Sequence, residues 1–317
     1  MSDPTDVLFV IDPPEAFDPQ ADSTFVMITE ALTRGLRPHG VPLAGLSLHG
    51  AHAFALAAPL GLVDDRLTYV QTPRRRALSE FGVVLMRKDP PVDQGYLTAT
   101  WILDHADTLV LNAPAGLRTL NEKLSSLRFG DLTPRTFISR NADELREILQ
   151  TLGGRMIVKP VYGFGGREIL LARTDDPNLG SLLELATAEG TRWTVAQEYL
   201  PAATEGDKRI LLVEGEPIGA VLRIPAQGEL RNNFHAGGRP ALSALTERDR
   251  AICSAVGPML READQFFVGI DVIGGQLTEI NVTSPTGMQE INRLEDLHGA
   301  ATMQARFWDP LLARMRT

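Results

Sequence analysis

Short apolar runs stopped by proline or charge recur early in this chain: DVLFVID (6–12), FGVVLMRKDPP (81–91) and TLVLNAP (108–114). Runs of this length between breakers read as buried strands. Between the first two, STFVMITEALTRG (23–35) has helical periodicity, with Ser23 as N-cap and Gly35 as stop. Strand, helix, strand alternation predicts a mainly parallel α/β domain over residues 1–120.

A different rhythm follows. NADELREILQTLGG (141–154) reads as a helix capped by Asn141, with Glu144 three residues on and Gly153-Gly154 ending it. MIVKP then predicts a strand, YGFGG a turn and EILLA another strand. WTVAQEYLP and KRILLVEGEPIGAVLRIP continue as strands, the latter with a hairpin at Glu214-Gly215. AQGELRNNFHAGG, rich in Gly and Asn, reads as a mobile loop. TERDRAICSAVGPMLREAD predicts a helix and QFFVGIDVIGGQLTEINV a hairpin. A length of 317 residues allows two or three subdomains, each with its own core.

The last hairpin carries the first candidate chemistry. Strand periodicity places Glu279, Asn281 and Leu277 on one face, with Thr278, Ile280 and Val282 turned to a core. Neighbouring oxygen-bearing side chains fit a hard cation, and equally a solvated strand. Asp271 lies across Gly274-Gly275. A two-residue turn would pair it with Thr278. A three-residue loop, Gly274 to Gln276, would pair it with Glu279, so the metal reading predicts the longer loop. Gly163-Phe164-Gly165-Gly166 precedes a strand rather than a helix, which excludes Walker and Rossmann loops. It is either a plain tight turn or a cup of backbone N–H groups for phosphate, with Lys159 adding a point charge.

Composition narrows the function classes. The formal net charge is −9 and the pI about 5.2, which argues against nucleic acid or an anionic membrane as partner. An anionic small ligand in a local basic pocket stays compatible. The single cysteine, Cys253, permits no intrachain disulfide, as in a reducing compartment, and reads as a packing residue on a helix. The start of the chain lacks a signal-like pattern, and AFALAAPLGLV, broken by Pro59, is too short to span a bilayer. The expectation is a cytoplasmic protein. Arg74-Arg75-Arg76 reads as a solvated loop. His39, His49, His52, His105 and His298 show no ligand spacing, and His235 reads as non-catalytic.

Taken in order, LMRKDPP (85–91), NEKL (121–124), GDLTP (130–134), DDPNLG (175–180), GDKRILLVEGEP (206–217), RIP (223–225), HAGGR (235–239) and VGIDVIGGQLTEINVTSPTG (268–287) resemble the ATP-grasp ligases, and more narrowly the bacterial glutathione synthetase family. The resemblance implies an ATP-grasp fold, α/β and α+β, behind a parallel α/β pre-ATP-grasp domain. The expected parts are an N-terminal domain at 1–120, a central lobe with the glycine turn at 121–200, and a C-terminal lobe with lid and metal hairpin at 201–317. The implied reaction phosphorylates the cysteinyl carboxylate of γ-glutamylcysteine with ATP, and glycine then displaces phosphate.

The resemblance also implies residue roles. Asp271, Glu279 and Asn281 would hold two Mg2+ ions, with Mn2+ as substitute. Lys123, Lys159 and the turn of Gly163, Gly165 and Gly166 would contact the ATP phosphates. Gln197, Glu198, Tyr199 and Leu200 would read adenine, and Asp207 the ribose. Arg209, Arg223, Arg87 and Ser284 would bind the dipeptide, with Arg209, Arg223 and Arg231 at the reacting groups. The loop from Ala226 to Gly238 would be a lid over the acyl phosphate. Relatives are homo-oligomers, commonly tetramers. Tyr162, Arg167, Glu168, Gly287 and Gln289 depart from the family pattern. Two alternatives remain: a ligase of the same build with another amino-acid acceptor, and a non-catalytic ATP-binding module of the synapsin kind. FVIDPPEAF, lacking a glycine turn after its strand, disfavours a nicotinamide dehydrogenase.

Overall fold

The computed structural model describes residues 3–229, 231–234 and 237–316. The first sheet is built from β1 (Asp3–Val10), β2 (Arg37–Val41), β3 (Leu46–His49), β4 (His52–Val63), β5 (Arg66–Tyr69), β6 (Arg74–Ala77), β7 (Phe81–Met86) and β8 (Leu109–Leu111). Helices α1 (Ser23–Thr33), α2 (Gln94–Leu103) and α3 (Pro114–Thr119) accompany it. Its order is β3-β4-β2-β1-β7-β8, with β5 and β6 also on β4. β2, β1, β7 and β8 run parallel; the apolar runs predict β1, β7 and β8, while β2 was not expected.

The antiparallel extension formed by β3 to β6 goes beyond the strands expected from the sequence. In β4 the apolar stretch 53–63 alternates small buried residues with exposed ones, so its period of two is masked by Ala and Gly. The expectation of a solvated loop at Arg74–Arg76 is corrected in part: these residues form strand β6 against β4, with Arg74 and Arg75 exposed as expected and Arg76 half-buried. Arg76 reaches Asp6 at 2.7 Å and Glu80 at 2.9 Å, and its guanidinium lies 4.2 Å from the Phe81 ring centre. A long stem lets a charged strand residue turn inward and keep its head paired. The N-cap of α1 is Asp22, which accepts from the Thr24 N–H at 2.9 Å, not the expected Ser23.

The second sheet follows the order β11-β10-β12-β9, from β9 (Thr136–Ser139), β10 (Arg155–Pro160), β11 (Leu170–Arg173) and β12 (Thr194–Glu198). It carries α4 (Ala142–Thr151), capped by Asn141 as expected, and α5 (Leu179–Thr187). The third sheet, β15-β14-β13-β16-β17, comprises β13 (Asp207–Val213), β14 (Glu216–Ile224), β15 (Arg239–Leu242), β16 (Phe267–Ile273) and β17 (Gln276–Asn281). α6 (Glu247–Glu262), α7 (Met288–Leu294) and α8 (Met303–Arg314) complete the chain. Cys253 is buried on α6, and burial pushes its thiol up to about 12. No helix among the described residues is long and apolar enough to cross a membrane.

The expectation of one core per subdomain is corrected by the packing. Only the second sheet has a core of its own, around Leu145, Leu149, Met156 and Leu183. The first and third sheets share two apolar clusters, one joining Leu8 and Tyr96 to Ile270 and Ile280, the other joining Phe9 and Met27 to Phe267 and Trp308. Polar contacts fix the same junction. The buried Asn112 amide donates to the Phe267 carbonyl at 2.8 Å and the Val282 carbonyl at 2.6 Å, and accepts from the Phe267 N–H at 2.9 Å. The first and third sheets therefore form one block, and the second sheet is a separate lobe set against it.

Asn112→Ala removes three buried bonds and leaves their backbone partners unpaired. It should lower stability by about 2–4 kcal/mol in urea unfolding monitored by near-UV circular dichroism. A loss below about 0.5 kcal/mol would show that the junction does not depend on this amide.

Candidate active site

The acidic hairpin resolves its register by an unexpected device. Ile273 pairs with Gln276 and Val272 with Leu277, so the turn is the two residues Gly274-Gly275, with φ of +56° and +76°. The expected three-residue loop is therefore corrected. A bulge at Thr278 supplies the extra residue, and Asp271 pairs with Glu279 after all. The Thr278 hydroxyl donates to the Asp271 carbonyl at 3.1 Å, holding the bulge. The bulge also reverses the face of Leu277, which packs into the core with Ile280 and Val282 rather than beside Glu279.

Cations converge on the two acids. Arg209, opposite Asp271 on β13, grips it with Nε at 2.5 Å from Oδ1 and Nη2 at 2.9 Å from Oδ2. Arg223 Nη2 lies 3.0 Å from Asp271 and 2.5 Å from Asp207, its cross-strand partner. Asn281 Nδ2 donates to Asp271 at 3.2 Å. Lys159, at the end of β10, crosses from the second sheet to Glu279 at 2.9 Å. Lys123 lies 3.9 Å from the same carboxylate and donates to the Gly163 carbonyl.

These contacts set the charge states. Burial favours a neutral Asp271, but Arg209 and Arg223 overcome it and hold the acid well below the usual carboxylate range. Burial is likewise outweighed at Glu279, lowered by Lys159 and then Lys123. At Asp207 burial wins against Arg223, and the negative charge of Asp271 raises it further. Asp207 Oδ1 and Arg223 Nε are buried without hydrogen-bond partners. Among the described residues no group of three or more His, Cys, Asp or Glu could hold a metal. Asp271, Glu279 and Asn281 offer only hard oxygen donors, two charged and one neutral, a set that suits Mg2+ completed by phosphate and water.

The glycine turn joins antiparallel strands β10 and β11, as expected. Gly165 and Gly166 have φ of +62° and +75°. A Cβ on Gly166 would meet Asn233 Oδ1 at 2.5 Å, so only glycine admits this contact with the 226–238 loop. Tyr162 is 66% exposed, Arg167 stacks 5.2 Å from the Phe164 ring centre, and Glu168 pairs with Arg192 at 2.8 Å. In the loop, Arg231 pairs with Glu229 at 2.5 Å and the Phe234 ring centre lies 6.0 Å from the Arg223 guanidinium. His235 falls outside the described residues.

The remaining candidates fall into two groups. Gln197 is buried on β12 and donates to Thr136 at 3.0 Å, Glu198 pairs with Arg135, Tyr199 lies under Arg155, and Leu200 precedes a short turn of helix. Their described partners lie outside the charge cluster. Arg87 is buried and donates to the Thr24 hydroxyl at 3.1 Å and the Pro285 carbonyl at 3.0 Å. It has no ion pair among the described residues. Ser284 donates to Asp89.

The helix start at Ser23 was expected, but the contacts made there were not. The Ser23 hydroxyl accepts from the Gly287 N–H at 3.1 Å and the Met288 N–H at 3.2 Å, and Gln289 donates to the Asp22 carbonyl at 2.6 Å. This anchors the Thr-Ser-Pro-Thr turn, which explains why Gly287 and Gln289 matter here. Glu122 was also missed, although it directly precedes Lys123. The acid in NEKL was the available signal. Its carboxylate accepts from the Thr283 hydroxyl at 2.8 Å.

Comparison with known proteins agrees along the whole chain. The profile of the prokaryotic glutathione synthetase N-terminal domain matches residues 5–118, and that of the ATP-grasp domain of the same family matches residues 122–296. Glutathione synthetase of Thermosynechococcus vestitus is 45% identical over 303 residues, covering 91% of this chain and 95% of the relative. That of Parasynechococcus marenigrum is 41% identical and covers 98% of each chain. Among solved structures, D-cycloserine synthetase DcsG has a TM-score of 0.67 at 15% identity, covering 98% of this chain and 99% of its own. The ATP-grasp ligase PsnB with its minimal precursor has a TM-score of 0.62 at 17% identity, covering 98% and 99%. Likeness at such identities concerns the fold, which is ATP-grasp.

Asp271→Asn and Glu279→Gln should each lower turnover on the order of a hundredfold or more, and Asp271→Asn should also lose stability, because it removes the charge that Arg209 and Arg223 share. Near-normal turnover in either would remove the acids from the site. A second expectation concerns pH. Burial, with the Asp89 charge, pushes the Asp22 carboxyl up to about 6, so the folded state holds a proton there that the unfolded chain releases near pH 4. The stability that Asp22 contributes is present below pH 4 and is lost as pH rises through 6. Relative to Asp22→Asn, the wild type should lose about 2–3 kcal/mol between pH 4 and pH 7 in urea titrations, and a constant difference would contradict this.

Proposed function

The chain belongs to the prokaryotic glutathione synthetase family, and we propose that it joins γ-glutamylcysteine to glycine with ATP as phosphoryl donor. The observation that carries this reading is the meeting of Lys123 and of Lys159, which crosses from the second sheet, at the Glu279 carboxylate, beside an Asp271 held by two arginines. Four cations meet three carboxylates there, a surplus of positive charge in an acidic protein. Transfer of a phosphoryl group between anions needs that surplus.

The chemistry assigns the residues. Lys123, Lys159 and the Gly163–Gly166 turn receive the ATP phosphates. The Gln197–Leu200 segment faces adenine, and Asp207, with one unpartnered oxygen, can accept from a ribose hydroxyl. Asp271, Glu279 and Asn281 would hold Mg2+, two ions with Mn2+ as substitute, which neutralises charge on the phosphates. Arg223 with its unpartnered Nε, buried Arg87 and Ser284 orient the dipeptide carboxylates, and Arg209 secures Asp271 between them.

In the first step a cysteinyl carboxylate oxygen bonds to the γ-phosphorus and ADP leaves with the electrons of the broken P–O bond. In the second, the glycine amine bonds to the acyl carbon and phosphate leaves. The nitrogen loses its protons to phosphate and solvent. The loop from Ala226 to Gly238, carrying Arg231, excludes water from the acyl phosphate. A homotetramer is part of the same reading. Leu56, Leu62 and Val63 on β4 are exposed apolar residues available for an interface. The cytoplasm is the expected compartment, with the single thiol buried.

The test mixes protein, ATP, Mg2+, γ-glutamylcysteine and glycine, omitting each in turn, and reads ADP and product mass. ADP release that needs both acceptor and dipeptide, with glutathione as product, is expected. A different product mass with another amino acid would assign another acceptor. Nucleotide binding with no substrate-dependent ADP would overturn the ligase reading.

A further inference from the structure

A cavity of about 140 Å3 lies between the end of α3, the segment that follows it and the glycine turn. Its wall contains Lys123 and Gly163, so it adjoins the phosphate-binding region. Two further charged residues of opposite sign line it, Arg118 and Glu122.

Each of the two has unused hydrogen-bonding capacity. One Glu122 oxygen, Oε1, accepts from the Thr283 N–H at 3.3 Å and its hydroxyl at 2.8 Å, and the other has no hydrogen bond among the described residues. The Glu122 carbonyl accepts from the Ile280 N–H at 2.8 Å, which fixes the residue beside the acidic hairpin. Arg118 Nη2 pairs with Asp104 at 2.7 Å, while Nη1 is buried without a partner. An unpartnered buried N–H costs free energy unless a ligand takes it. The remaining wall is largely apolar, with Leu97, Leu117, Val161 and Phe164.

Phosphate does not suit this cavity, because Glu122 would repel it. A dicarboxylate meets the same objection. A small zwitterion satisfies both ends, since a carboxylate pairs with guanidinium and an ammonium with carboxylate. The small volume and a remaining wall that is apolar apart from Thr119, Asn121, Tyr162 and Thr283 favour a small side chain. We propose that this cavity is the subsite of the acceptor amino acid, with Glu122 taking its ammonium and Arg118 its carboxylate, and this rests on the ligase reading above. From there the nitrogen enters beside Lys123 and the glycine turn, where the acyl phosphate forms. Burial pushes the Glu122 carboxyl up against the pull of Lys123, and an arriving ammonium holds it ionised.

The test is steady-state kinetics on Glu122→Gln, Glu122→Asp, Arg118→Met, Arg118→Lys and Asp104→Asn, with thermal melting to confirm folding. Glu122→Gln and Arg118→Met should each raise the KM for glycine at least about tenfold while the KM values for ATP and γ-glutamylcysteine move less than about twofold. Glu122→Asp and Arg118→Lys should recover part of the glycine KM. Asp104→Asn, which breaks only the outer ion pair, should leave it unchanged. An unaltered glycine KM in either truncated variant, an equal rise for all three substrates, or the same effect in Asp104→Asn overturns the subsite. A separate control distinguishes this failure from failure of the ligase reading: wild-type protein with ATP, Mg2+ and the dipeptide but no glycine should yield a hydroxamate when hydroxylamine traps the acyl phosphate. Absence of hydroxamate overturns the ligase reading itself.

Discussion

The structure depends on keeping Asp271 ionised inside the protein. A buried carboxylate is costly unless paired, and here two arginines from neighbouring strands supply the pairing. That requirement places Arg209 opposite Asp271 on β13 and Arg223 opposite Asp207 on β14. It also explains the bulge at Thr278, because without it Glu279 would face away and the acids would separate. Lys159 of the second sheet then finds an anionic anchor across the junction, and Lys123, held beside β17 through the Glu122 carbonyl, joins it. Charge, rather than an apolar core, is what the two lobes share at the site. The second sheet keeps its own apolar cluster, and across the junction Val161 and Phe164 beside its glycine turn face Leu97 and Leu117 around a small cavity.

The block beneath the site is built differently. The first and third sheets share two apolar clusters, and Asn112 and Trp308 add buried hydrogen bonds across the junction. Ser23 at the start of α1 ties down the turn after Asn281 through two backbone N–H groups. A rigid base therefore presents the acids, the buried Arg87 and the Thr283–Thr286 turn in fixed relation. Preorganised charge of this kind needs little rearrangement when a phosphoryl group moves.

Much of this was legible locally. The α4 helix, the strand-to-strand glycine turn and both C-terminal hairpins follow from short-range pattern and turn chemistry. The β3–β6 extension was not legible, because small residues in β4 hide its alternation and Arg76 turns a charged stretch inward onto Phe81. The hairpin register also escaped, since a bulge is a choice between two backbone paths that burial of Leu277 decides. Asp22 takes the cap role expected of Ser23, because Ser23 is committed to a residue more than two hundred and sixty positions away. Long-range commitments of that type leave no periodic trace in the chain.

Lys159 and Lys123 stand on Glu279 as counter-ions, and on the proposed ligase reading the ATP phosphates take its place. Calorimetric titration of a non-hydrolysable ATP analogue with Mg2+ into the wild type and Lys159→Met tests it most directly. The wild type should bind, and the variant should bind at least about tenfold more weakly, with its fold intact. Equal affinity in the two proteins would contradict it.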